Sequence, residues 1–206
     1  WPTVKQGGQT QIVGNAQDYG DINLQSVSSV AEATGRYAPR ANLNADADAA
    51  TPPHTLADAA GGPSFNYHFK TDATVYDSQG GSHILSTYYT KTANNEWDVR
   101  TLAKASEVDP AQVATDGAGN PITYDVDNDG TDDLAQLATS NGNSGAHLSF
   151  DANGALASER DGLVDPDGDP ATANNAPGTL TAVSEIGIST PWNNGSNAGQ
   201  VITHNY

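Results

Sequence analysis

The sequence predicts an all-β protein, an antiparallel β-barrel or sandwich outer domain accompanied by a partial second β-domain. Three observations carry this reading. Apolar and polar residues alternate with a period of two across residues 64–102. Gly, Asn, Asp, Ser and Thr are abundant, and these residues favour turns over helix interiors. Apolar residues make up only 36% of the 206 residues and aromatics 7%, which implies a thin, elongated core rather than a deep one.

The elements follow in chain order. Residues 1–44 mix apolar and polar side chains at strand-like spacing and read as one segment. Residues 45–63 contain Thr51, Pro52 and Pro53 and then Gly61, Gly62 and Pro63, which predicts a linker or long loop. Phe65, Tyr67 and Phe69 alternate with Asn66, His68 and Lys70. Val75 and Tyr76 run into a turn over residues 77–81. From His83 to Thr90 one face carries Ile84, Ser86 and Tyr88 and the other Leu85, Thr87 and Tyr89. Asn94 and Asn95 make a second turn, after which Trp97, Val99 and Thr101 alternate with Asp98 and Arg100. Two turns joining three alternating runs describe an antiparallel meander.

Residues 103–147 read as an acidic, turn-rich insertion, in which Asp109 and Pro110 have the pattern of a short helix start. Strand character returns over residues 146–150. A turn follows at 151–154, and residues 158–178 read as polar loop. Residues 180–188 and 200–204 are expected to be closing strands. No unit of 20–50 residues repeats, which sets aside solenoids and propellers. The expected divisions are 1–44, 45–199 and 200–206.

Charge and composition exclude several function classes. The net charge is −17. Such a chain repels phosphate backbones and anionic lipids, so neither nucleic acid nor membrane is an expected partner. There is no cysteine, hence no disulfide framework and no thiolate metal site. No run approaches the roughly 18 apolar residues of a membrane span. Between Glu107 and Asp169 stand 14 carboxylates and one arginine, Arg160, a net −13 concentrated in one stretch.

The meander resembles the outer domain of the bacterial flagellar hook protein family. The resemblance rests on Val75, Tyr76, Asp77, Ser78 and Gly80, then His83, then Tyr88 through Thr92 with its Lys91–Thr92 pair, then Asn95, Trp97 and Val99. The later Phe150, Gly154 and Leu156 are similar to that family's Phe-x-x-x-Gly-x-Leu hairpin. Residues 41–44 resemble the strand that carries the chain from inner to outer domain. The match runs in pieces from Gly35 to Leu156, and the motifs are specific as a set rather than singly. It implies a structural subunit of an extracellular assembly, the curved tube joining motor and filament, whose outer domains slide over one another. The expected partners are other copies of the same subunit. The family's terminal heptad segments are not seen, so the chain is expected to be a monomeric piece comprising part of the inner domain, the outer domain and a return segment.

The acidic stretch departs from that family's pattern. Asp125, Asp127, Asp129 and Asp133 follow the spacing D-x-D-x-D-G-x-x-D, with Gly130 at the bend and Thr131 offering a carbonyl. This matches the first nine positions of a calcium loop, in which alternate carboxylates converge on one ion. The twelfth position is Gln136 rather than a bidentate Glu. A solvated acidic turn explains the same residues. Asp165, Asp167 and Asp169 form a second, shorter acidic turn. Calcium is therefore a candidate ligand, and the alternative function is a secreted calcium-binding β-module of the adhesin or carbohydrate-binding kind.

No catalytic centre is expected. The five histidines show no metal-ligand spacing, and His68, His83 and His147 fall on strands, where a hydrogen-bonded histidine is commoner than a ligand. There is no G-x-S-x-G, P-loop or G-x-G-x-x-G pattern. Asn194, Gly195 and Ser196 fit a glycosylation sequon, but Asn-Gly is first of all a turn.

Overall fold

A computed structural model describes residues 3–6, 9–12, 31–166, 180–197 and 199–206. The chain divides into two compact units, Trp1–Val30 and Ala31–Tyr206. In the first, strands β1 (Thr3–Gln6) and β2 (Gln9–Ile12) pair antiparallel, with Thr3 opposite Ile12.

The second unit is built from short strands: β3 (Arg36–Tyr37), β4 (His54–Ala57), β5 (Ser64–Tyr67), β6 (Phe69–Tyr76), β7 (Ser82–Ala93), β8 (Glu96–Lys104), β9 (Thr123–Tyr124), β10 (Leu134–Gln136), β11 (Ala146–Phe150), β12 (Leu156–Asp161), β13 (Thr181–Val183), β14 (Ile186–Ser189) and β15 (Val201–His204). Its described helical structure is a single 3-10 turn, Ala105–Glu107. The all-β expectation holds.

The meander β6–β7–β8 is the spine. Strand β7 is the longest, and its partners run in register from Phe69 opposite Tyr89 to Tyr76 opposite Ser82. Asn95 takes a positive φ of 60° in the tight β7–β8 turn, and Gly80 one of 85° in the β6–β7 turn, a conformation that glycine adopts without a Cβ clash. Strand β8 then branches the sheet. Its first half pairs with β11 and its second half with β10, giving eight antiparallel strands with edges at β6, β9 and β13.

Two layers cover this sheet. On one face Val75, Leu85, Trp97, Val99 and Leu148 pack with Ile186, Ile188 and Ile202 from the three-stranded sheet β14–β15–β3 and with Trp192 from the loop after β14. That makes a sandwich. Strand β3 pairs parallel with β15, which ties residues 36–37 to residues 203–204. A second cluster joins Phe65, Tyr88, Leu102 and Tyr124 under the β4–β5 hairpin.

Five local expectations differ from what is found. The alternating run from Phe65 to Phe69 is split at His68 between two sheets, because His68 donates its N–H to the carbonyl of Tyr89 and redirects the chain. The Pro-rich stretch 45–63 is no free linker. It contains β4, and the Asp48 and Asp58 carboxylates fold it by accepting N–H bonds from Ala50 and Ala60. Asp109 opens a turn, its carboxylate taking the Ala111 N–H, and no helix follows. Residues 158–161 belong to β12 rather than to a loop, and residues 180–188 make two strands in different sheets. Among the described residues no helix is long and apolar enough to cross a membrane.

Candidate functional site

The acidic loop lies between β9 and β10. Carboxylate oxygens of Asp125, Asp127 and Asp133 come within 4.8 Å of one another, and among the described residues these could hold a metal ion. Asp125 is 5% exposed, whereas Asp127 and Asp133 face solvent. The loop's backbone shapes the convergence. Asp125 accepts N–H bonds from Asp129 at 3.2 Å and Gly130 at 2.8 Å, and Asp133 accepts one from Val126 at 2.8 Å. Asn128 and Gly130 both have positive φ, 61° and 86°, so the chain reverses sharply there. Asp129 does not join the three. Its carboxylate accepts the Thr131 N–H at 2.8 Å. Gln136 is also elsewhere, buried on β10, where its amide donates to the Ser144 carbonyl and its oxygen accepts the Tyr124 hydroxyl. Hard oxygen donors at this spacing suit a calcium-like cation. Asp167 and Asp169 of the second acidic turn lie outside the described residues.

The most elaborate polar chemistry is in the meander. Asp77 is fully buried and accepts hydrogen bonds from the Gln79 and Gly81 N–H groups, both at 2.8 Å, and from the Asn194 amide, and it pairs with His83 at 3.0 Å. Burial by itself would raise its pKa. The donors from His83, Asn194 and the turn backbone outweigh burial and hold the carboxyl far below the ordinary range. The other ring nitrogen of His83 meets Glu107 at 2.8 Å, and the imidazole stacks on Trp192 with centroids 3.7 Å apart and planes 7° from parallel. One cluster thus joins the β6–β7 turn to residues 105–108 and 192–194.

Strand β8 supplies another. His147 on β11 sits between Asp98 at 2.8 Å and Glu96 at 2.9 Å. Burial depresses its pKa, but the two carboxylates outweigh that and raise it above the ordinary histidine value. Lys91, buried on β7, donates to the carbonyls of Ala45 and Ala47. None of these arrangements presents a nucleophile to a free base. Both ring nitrogens of His83 and His147 are taken by carboxylates, and His68 is held by the Lys91 N–H and the Asp48 carbonyl. His204 is bonded to Tyr206, and His54 lies exposed against the Tyr67 ring. Asn194 of the sequon has its amide bonded to Asp77.

Sequence reading found Asp77, Gly80 and Trp97 but missed Lys91 as a staple and the pairings of Asp98 and Arg100. A cation flanked by aromatics on a strand was the available signal for Lys91. For Asp98 and Arg100 there was none, since their partners stand far away in sequence. An apolar groove of about 260 Å³ lies beside Trp97, lined also by Leu43, Tyr89, Phe150 and Tyr206.

The family model of the flagellar basal body protein FlaE D2 domain matches residues 42–206. Similar proteins include the flagellar hook protein FlgE of Salmonella typhimurium strain LT2, 30% identical over 124 residues, which are 60% of this chain and 27% of that protein. The flagellar hook protein FlgE of Escherichia coli strain K12 is 28% identical over 114 residues, 55% of this chain and 25% of that protein. The chain therefore spans about a quarter of the length of the curated relatives it matches.

Proposed function

The chain belongs to the flagellar basal body protein FlaE D2 domain family, and from that premise we propose that it is part of a structural subunit of the bacterial flagellar hook. In this reading residues 45–199 are the outer β-domain, residues 103–147 an acidic insertion in it, and residues 1–44 and 200–206 belong to an inner domain. Its partners are further copies of the same subunit in an extracellular tube. The outer domains make the contacts that slide as the tube bends. Its task is mechanical and requires no catalysis.

The observation that carries the reading is the family match over residues 42–206, supported by relatives that are themselves hook proteins. Residues within that range have mechanical uses here. Asp77 organises a turn, Lys91 fastens a loop and Trp97 fills the core. A sheet held by buried polar clamps keeps its shape under load, because opening any clamp leaves charged groups unpaired in the interior. The test is electron microscopy of the purified full-length gene product. Tubes of regular diameter are expected; a product that stays monomeric under all polymerising conditions would overturn the proposal.

A calcium-binding extracellular β-module is the second reading. It is favoured by the convergence of Asp125, Asp127 and Asp133. Calorimetric titration with calcium separates the two aspects. Absence of both heat and a shift in melting temperature would remove the calcium reading while leaving the structural one in place.

A further inference from the structure

Glu96, Asp98 and Arg100 alternate along β8 and so share one face of the sheet, the face opposite Trp97 and Val99. Across the sheet, Thr90 and Tyr88 of β7 stand opposite Asp98 and Arg100, and His147 of β11 stands opposite Asp98 on its other side. This polar face is covered. Asp98, Arg100, Thr90 and His147 are all at most 2% exposed. Part of the cover is the short segment 162–166, which leaves the end of β12 and crosses the face.

The Gly162 N–H donates to the Gly145 carbonyl at 2.9 Å, and beyond it two side chains, Asp98 and Arg100, fasten the segment through four hydrogen bonds. Asp98 accepts the Val164 N–H at 3.0 Å and the Asp165 N–H at 2.7 Å. Arg100 donates from one terminal nitrogen to the Asp165 carbonyl at 2.5 Å and the Pro166 carbonyl at 3.3 Å. The buried side chain of Leu163 is the segment's apolar anchor. Asp98 is therefore shared. The same carboxylate that holds the strap also accepts the Nδ1 proton of His147.

His147 has carboxylate oxygens at both ring nitrogens. Carboxylates only accept hydrogen bonds, so both nitrogens must donate, and only the imidazolium form does that. The charged groups around it are Glu96, Asp98 and Arg100 on β8, Arg160 opposite it on β12, and Asp165 on the strap. On β7 the facing groups are the Thr90 hydroxyl and the Tyr88 phenol, with Lys70 of β6 above the Tyr88 ring. Asp98 is wholly buried, so its charge must be balanced locally or the carboxylate must be rehydrated.

We propose that residues 162–166 form a strap latched onto the sheet through Asp98, and that the proton on His147 keeps the latch closed. When His147 gives up that proton, one ring nitrogen turns a lone pair toward a carboxylate oxygen less than 3 Å away. Asp98 then loses its nearest balancing cation and gains stability by admitting water. Water reaches it by lifting the strap, which uncovers Arg100 and the polar face of β7 and β8. The strap opens in preference to the sheet because it is fastened at a few points, whereas the sheet is a continuous ladder. The raised pKa of His147 places the opening at higher pH than the titration of an ordinary histidine.

Hydrogen exchange read by mass spectrometry on the intact chain, from pH 6 to 10 and corrected for the intrinsic pH dependence, tests this. His147 is followed in parallel by NMR. Protection at residues 163–165 is expected to fall at least tenfold with the same midpoint as His147 deprotonation, while residues 84–90 stay protected. Glu96→Gln removes one of the two flanking carboxylates from a partly exposed position, and it is expected to move both midpoints together to lower pH. Strap protection that stays flat through the His147 titration overturns the proposal. So does strap exchange that rises only together with exchange in β7, or a Glu96→Gln protein in which the His147 midpoint moves and the strap midpoint does not.

Discussion

The Lys91 ammonium lies 2.8 Å from the carbonyl oxygen of Ala47, and it donates also to the carbonyl of Ala45. It thereby ties the loop preceding β4 to strand β7. His68 reinforces the tie, bonding through Nε2 to the Asp48 carbonyl and accepting the Lys91 N–H at Nδ1. The Trp97 ring lies 6.0 Å from the ammonium. Replacing Lys91 by Met keeps the apolar stem but leaves two carbonyls without their donor. The expected loss is roughly 1–3 kcal/mol. Urea denaturation measures it, and hydrogen exchange should show the loss of protection confined first to residues 44–50. A Lys91→Met protein as stable as the parent would show that water replaces the ammonium without cost.

Acid is expected to destabilise the domain in two separate windows. His204 is buried against Tyr37 and Tyr206, and burial pushes its pKa down to about 4. The unfolded chain therefore takes up its proton first. The stability it contributes is complete above the unfolded value of about 6.5 and is lost progressively down to the folded value, a loss of roughly 3 kcal/mol in all. Asp77, with its pKa held below the ordinary carboxylate range, acts lower. Its contribution is complete above about pH 4 and is lost as pH falls through its folded value. Melting temperatures measured from pH 7 to pH 3 check this. His204→Gln should flatten the slope between pH 6.5 and 4 and leave the lower decline in place.

The Asp77 turn is expected to tolerate little change. Asp77→Asn sets an amide among groups that donate to the carboxylate, so at least one donor pair is left facing another. The loss is expected to be about 2–3 kcal/mol. Gly81→Ala probes the same site from the backbone side, since a Cβ there would lie 2.6 Å from the Asp77 carboxylate. Thermal melts should place both variants well below the parent, whereas Gly117→Ala, with open space around its Cβ position, should melt close to it. Equal melting of all three would mean that the buried carboxylate does not organise the turn.

The meander was legible in the sequence because each strand repeats with period two and each turn carries residues suited to its backbone, Gly80 and Asn95 among them. The Asp-x-Asp spacing likewise showed that Asp125 and Asp127 would point to one side of a loop. What stayed hidden depends on pairs far apart in the chain. Asn194 reaches Asp77 across 117 residues, and Arg100 reaches the Asp165 carbonyl across 65. No local period encodes such contacts. The course of residues 180–188 was hidden for a similar reason. Their apolar pattern is continuous, but Val183 pairs with Glu159 and Ile186 with His204, and two different sheets claim the two halves. Asp129 followed the ligand spacing, yet its carboxylate turns back to its own loop and accepts the Thr131 N–H instead of joining the other three, a local turn choice that spacing does not reveal.

Trp97 is the last test, and it bears on stiffness as much as on stability. It stands opposite Lys91 on β7 and Leu148 on β11, and its ring is 3% exposed within the main core. Truncation to alanine is expected to cost about 3–5 kcal/mol, the transfer energy of the ring plus the cavity it leaves. The groove beside it, bounded by Leu43, Phe150 and Tyr206, would then join that cavity. Because the ring supports the Lys91 staple and the β8–β11 pairing together, the loss should couple to Lys91→Met. A double-mutant cycle by urea denaturation should give an interaction of about 0.5–2 kcal/mol, in the sense that the second change costs less once the first is made. Strict additivity would separate the two residues and mean that the staple holds its loop without help from the aromatic ring.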